Sequence, residues 1–242
     1  MFVVYYTPDP IALLIVTIAG GLLALDRVTV RAMISAPLVT ATLIAALLGN
    51  PWLGVLTGVL FQLFWLKEPE APGKLTPDAG FGAAIASAVS ASLVGHLSSG
   101  ERLLSFWPYG IIFGVVVAPL AGYSRWLVVQ YLSGRLSQFD TAVQNGNTGA
   151  IRGYVVYGVL SHGLMGALVT GLCYFAGYSI WHVFESIWFE ANPVMLTIVP
   201  LFAGVAIASA ARVFLQRDTV FAFAIGAAAM TSVELIRRFI AI

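Results

Sequence analysis

The chain has 242 residues, of which 60% are hydrophobic and only 10% charged, whereas an ordinary soluble domain carries about 25% charged residues. This composition excludes a water-soluble globule and predicts an integral membrane protein. Twelve Lys and Arg against eleven Asp and Glu leave a net charge of +1, too little basic surface to track nucleic-acid phosphates, and one cysteine supports neither a disulfide framework nor a thiol metal site.

The apolar runs are continuous and rich in Leu, Ala, Gly and Val, which points to membrane helices and not to the alternating strands of a barrel. The opening MFVVYYTPDP lacks a basic n-region and a small-residue cleavage site. No removable signal peptide is expected, and the first run stays in the membrane. Asp9 can cap that helix and Pro10 suits its first position. Apolar runs at 11–25, 38–48 and 53–66 follow in succession. Each falls short of the about 20 residues that cross ~30 Å of hydrocarbon. Half-helices or re-entrant hairpins are therefore predicted, ordinary helices with polar flanks drawn into the membrane being the alternative.

Residues 49–92 are the most informative stretch. A run holding one amide, Gln62, drops into a charged, proline-rich excursion (KEPEAPGKLTPDAG) and a Thr-Pro-Asp corner before a run of small residues. A segment that only crossed a bilayer would not need this interruption, so it is read as part of a solute site. Residues 81–97 are mostly Ala, Gly and Ser, which let membrane helices approach closely and predict a buried helix. The run at 103–132 is long enough to span. Trp107 and Tyr109 at one end, with Tyr123, Arg125 and Trp126 towards the other, are read as interface markers. The pairs Gly54/Gly58 and Gly110/Gly114 are GxxxG spacings, read as packing devices.

The long polar stretch that follows, 134–153, carries Arg135 and Arg152 against Asp140, and is placed in the cytoplasm as a loop. It divides one integral membrane domain into an N-terminal half (1–133), holding the re-entrant elements and the solute site, and a C-terminal half (154–242). Residues 154–177 form a span containing His162 and Cys173. Residues 178–192 place aromatics, His182, Glu185 and Glu190 at helical spacing, as in an amphipathic helix at the interface or a tilted, partly buried one. Runs at 193–214 and 220–236 are the last two spans.

No nucleophile motif surrounds His96, His162 or His182, and HExxH, Walker A and GxGxxG are absent. The chain is not expected to be an enzyme by itself, and neither cofactor nor metal is expected. A histidine alone in an apolar run is more often a packing residue than a ligand. Polar groups within spans are functional candidates by default; here they are Asp26, Gln62, Asp78, His162 and Glu234. Asp26 precedes Arg27, and Glu234 lies near Arg237 and Arg238, so local pairing at a membrane surface accounts for both. Gln62 can donate and accept, and Asp78 can cap the helix after it or bind a solute. An amide plus a carboxylate supply what sugar hydroxyls need.

Four blocks resemble the membrane IIC subunit of the mannose/fructose/sorbose class of bacterial phosphotransferase systems: LDRVTVRAMISAPLVTATLIAALLGN, GVLTGVLFQLFWL, LTPDAGFGAAIASAVS and FDTAVQNGNTGAI. In the family pattern an Arg precedes Pro-Leu-Val, where Ala36 stands here. Gln62 occupies a Glu position, Asn50 an Asp position, and Glu70 a position where Asn is common. The apolar runs predict an all-α polytopic fold of about 7–9 transmembrane or re-entrant segments, in two related inverted halves with broken helices, related by hydropathy and not by a sequence repeat. The resemblance implies a bacterial inner-membrane subunit that binds a hexose and moves it elevator fashion. The sugar would be presented to a cytoplasmic phospho-IIB protein, alongside a related IID membrane subunit in a trimer of heterodimers, or in a homo-oligomer. Gln62, Asp78 and Glu70 become the substrate-binding candidates. Asn145, Gly146 and Asn147 become candidate partner contacts, a plain Asn-Gly turn being the alternative. The Gln62 and Ala36 departures keep a second function open: a same-fold subunit without phosphoryl coupling, acting as a scaffold or moving another solute.

Overall fold

The computed structural model describes residues 8–29, 32–66, 76–95, 100–188 and 193–215, and every regular element among the described residues is an α-helix. In chain order these are α1 (Pro10–Val28), α2 (Pro37–Leu47), α3 (Pro51–Phe64), α4 (Ala79–Gly95), α5 (Gly100–Ser133), α6 (Leu136–Gln144), α7 (Thr148–Trp188) and α8 (Pro193–Leu215). Segments 106–133 and 148–183 are long and apolar enough to cross a membrane. This agrees with a helical polytopic membrane protein.

The local signals work as the residues demand. Asp9 caps α1 by accepting the Ile11 N–H at 3.0 Å, and Pro10 fills the first turn. Helix α1 has 19 residues, longer than its apolar run suggested, because flanking residues at both ends join it. Helices α2 and α3, with 11 and 14 residues, span only about 16 and 21 Å at 1.5 Å per residue. They pack on each other as a short hairpin. Its turn is a Schellman motif: Gly49 sits at φ +86°, Asn50 N–H reaches Ala45 C=O at 2.7 Å, and Gly49 N–H reaches Ala46 C=O at 3.1 Å. Pro51 then opens α3.

Helices pair most intimately as α1 with α7, α4 with α5, and α2 with α3. Small residues make each pairing possible. A Cβ on Gly114 would run into the Gly82 carbonyl, with Ala86 Cβ at 2.7 Å and Phe61 Cζ at 3.0 Å. A Cβ on Gly82 would meet the Gly114 carbonyl at 2.8 Å. The backbones of α4 and α5 therefore touch, and both GxxxG pairs are packing seams. Ser87 and Ser90 on α4 are fully buried and return their hydroxyls to the carbonyls of Ala84 and Ala86, which removes the cost of leaving them unpaired.

Three expectations are corrected. The polar stretch at 134–153 is not an open loop: α6 and the first turns of α7 make most of it helical, and Asn145-Gly146-Asn147 joins the two. Its polarity reflects a mostly exposed helix, whose one buried residue is Ala142. Of the two readings of 178–192, the surface helix gives way to the partly buried one: 178–188 continue α7, with Tyr178 and Trp181 buried. Trp181 stands edge-on to Phe106 and Tyr109, each at 4.9 Å between ring centroids. The aromatic residues mark an interior contact there. The same holds for two of the expected interface markers. Buried Tyr109 donates to Gly177 C=O at 2.7 Å, and half-buried Trp107 donates from Nε1 to Thr57 Oγ1 at 2.9 Å. Thr57 is itself fully buried. Thr57→Val is expected to cost about 1–3 kcal/mol by stranding that indole N–H, measurable as reduced thermal stability in detergent.

Candidate functional site

Asp78 lies at the N-terminus of α4, and its position is set by α5. Asp78 N–H donates to Ala118 C=O at 2.9 Å, and Arg125 Nη2 donates to Thr76 Oγ1 at 3.3 Å. Gly122 leaves room for the Thr76 carbonyl, which a Cβ there would strike. Pro119 interrupts the hydrogen-bond ladder of α5 beside this contact. The extended segment 76–78 is thereby held flat along α5. Asp78 Oδ1 accepts the Phe81 N–H at 2.8 Å, so the residue is the N-cap of α4.

Capping does not exhaust its surroundings. Asp78 also lines a cavity of about 60 Å³ where the α1–α7 pair meets the α4–α5 pair, with Thr40 from the start of α2 at its edge. Ser124 and Arg125 of α5 and His162 of α7 complete its polar wall. Gly20, Ala24, Gly166 and Val169 supply much of the apolar remainder. The volume holds a few waters and is well below the roughly 300 Å³ at which small-molecule pockets begin. A hexose could enter only if the two helix pairs separated.

Several lining groups are already held by their own backbone. Ser124 Oγ donates to Ala121 C=O at 2.9 Å, Thr40 Oγ1 to Ile34 C=O at 2.8 Å, and His162 Nδ1 bonds Gly158 C=O at 2.9 Å. These bonds fix rotamers and leave hydroxyl lone pairs, the remaining guanidinium N–H groups and His162 Nε2 to define the cavity's chemistry. A carboxylate, a guanidinium, hydroxyls and an imidazole around one space suit a polyhydroxylated solute.

The other candidates are not gathered here. Gln62 is half-buried on α3 and does not line the cavity. Glu70, like Glu234, lies outside the described residues. Asn145, Gly146 and Asn147 are exposed and have a local structural account. Gly146 at φ +61° closes a Schellman motif on α6, and Asn147 Oδ1 caps α7 through the Ala150 N–H at 3.1 Å. Asp26 also has a backbone role. Its two carboxylate oxygens accept the backbone N–H groups of Ala32 and Ser35 at 2.7 and 3.0 Å, so the buried carboxylate ties the α1–α2 turn. Inside the turn, Met33 takes the sparsely populated φ of +61°.

Sequence reasoning missed Arg125 as a site residue, reading it as an interface marker. The available signal was a cation within a run long enough to span, which by default faces a polar cavity or partner.

The helical fold agrees with the comparison to known families. The family model described as the PTS system sorbose-specific IIC component matches residues 10–242. No curated protein sequence is a significant match to the chain. Matched over nearly its whole length, the chain belongs to the sorbose-specific IIC component family of the phosphotransferase system, the membrane sugar-transport components that work with other subunits of that system.

Proposed function

We propose that the chain binds a hexose-type sugar in the cavity beside Asp78 and carries it across the bacterial inner membrane for phosphorylation by a cytoplasmic IIB protein. The observation that carries this reading is the convergence of Asp78, Arg125 and His162 on one cavity at the seam between two tightly packed helix pairs. Sugar hydroxyls both donate and accept. A carboxylate and an imidazole nitrogen meet the donors, and a guanidinium meets the acceptors. The cavity is small, so admission of the sugar requires movement along the seam, in keeping with an elevator in which one helix group moves against the other. A related IID subunit completes the transporter in a trimer of heterodimers, with Asn145, Gly146 and Asn147 on the exposed α6–α7 turn as one contact. Gln62 and Glu70 are secondary candidates for the sugar.

A second reading draws on Gln62, which stands where the resemblance expects a carboxylate: a same-fold subunit without phosphoryl coupling, acting as a scaffold or moving another small solute. One experiment separates the two. Cells expressing the chain with its IID and IIB partners are given a labelled panel of hexoses and amino sugars, and the internal product is identified. Phosphorylated sugar supports the first reading. Free sugar overturns its phosphoryl coupling, and uptake of none of the panel overturns it whole and supports the second.

A further inference from the structure

We propose that His162 is a specificity residue whose Nε2 accepts a hydrogen bond from a hydroxyl of the solute in the Asp78 cavity. This inference rests on the sugar-binding reading above and adds to it a named atom and a direction of hydrogen bonding. Four residues of α7 at helical spacing, His162, Met165, Gly166 and Val169, line that cavity. Their facing is fixed by the close packing of α1 on α7. A Cβ on Gly166 would meet the Gly20 carbonyl at 3.0 Å, and one on Gly163 would meet Leu25 Cδ2 at 3.0 Å. This close packing of α1 on α7 holds the face carrying His162 at the seam.

The tautomer follows from chemistry. The partner of Nδ1 is the Gly158 carbonyl, at 2.9 Å, and a carbonyl only accepts. Nδ1 therefore carries the proton, and in the neutral ring Nε2 is an acceptor with no hydrogen-bond partner among the described residues. The same cavity is lined by Arg125, a pure donor. A solute spanning the two would give a hydroxyl hydrogen to Nε2 and receive hydrogen bonds from the guanidinium. A polyol does both; a solute with no hydroxyl hydrogen to give cannot satisfy Nε2.

A merely structural histidine would act through Nδ1, and two amides separate the cases. His162→Asn retains an amide near Nδ1, whereas His162→Gln retains one near Nε2. The purified chain with its IID partner is titrated calorimetrically with L-sorbose, D-fructose, D-mannose and D-glucosamine, and each variant is checked for an intact thermal transition. His162→Gln is expected to bind within about threefold of wild type, and His162→Asn to weaken binding about tenfold, the size of one lost hydrogen bond. Wild-type affinity in His162→Asn, or in both variants, would overturn the proposal while leaving the sugar-binding reading intact. Failure of the wild-type complex to bind any of the four sugars would overturn the underlying reading itself.

Discussion

Asp78→Ser is expected to leave the protein folded but to reduce hexose binding and uptake by about ten- to a hundredfold. The side chain has two separable tasks. Its Oδ1 caps α4 through the Phe81 N–H, and the same carboxylate lines the cavity. Serine is a good N-cap and preserves the first task, whereas alanine would forfeit about 1 kcal/mol of helix stability. The second task needs a charged acceptor. Hydrogen bonds to charged groups contribute about 1.5–3 kcal/mol, which gives the stated range at 1.4 kcal/mol per tenfold. Asp78→Ala and Asp78→Ser should therefore differ in melting temperature but share the transport defect. Uptake in Asp78→Ser within twofold of wild type would reduce Asp78 to a cap.

The largest structural effect is expected at the α4–α5 crossing. Gly114→Leu should abolish accumulation of folded protein, and Gly114→Ala should already cost about 1–3 kcal/mol or more. The added carbon collides with the Gly82 carbonyl, a backbone atom that cannot swing aside as a side-chain tip can. The internal control is Gly153→Ala on the exposed first turns of α7, where a Cβ meets nothing within 4 Å. There alanine should stabilise by up to about 1 kcal/mol through helix propensity alone. Opposite signs for two Gly→Ala changes, read by thermal unfolding in detergent, would show that the crossing and not helix propensity decides.

Much of the fold was legible because membrane helices leave local marks. Proline at the first position of α1, α2 and α3, the Gly49-Asn50-Pro51 turn, and the small-residue run of α4 all folded as their chemistry suggests. The misread aromatics share one cause. Trp107, Tyr109, Tyr178 and Trp181 are amphipathic aromatics, equally suited to a membrane interface and to a hydrogen-bonded or edge-on contact between helices. Only the partner across the bundle decides, and Thr57 and Gly177 lie 50 and 68 residues away in sequence.

The site was legible in part for a related reason. Asp78 followed from a Thr-Pro-Asp corner before a helix, a local signal. Arg125 and His162 join it only through the pairing of α4 with α5 and α1 with α7, which composition does not reveal. Gln62, the most conspicuous polar residue in its run, stands on α3, which contributes no residue to the cavity. Conspicuousness in sequence and proximity in space separated there.

The central claim is that solute occupies the space beside Asp78. Alkylation of Ser124→Cys by a small maleimide tests it most directly, in a Cys173→Ala background that removes the chain's one native thiol. Ser124 lines the cavity, whereas Ser137 stands exposed on α6 away from it. Saturating concentrations of the transported hexose should slow labelling at Ser124→Cys severalfold and leave Ser137→Cys unaffected. Unchanged labelling at Ser124→Cys, in a complex shown to bind that hexose, would put the solute elsewhere and contradict the account.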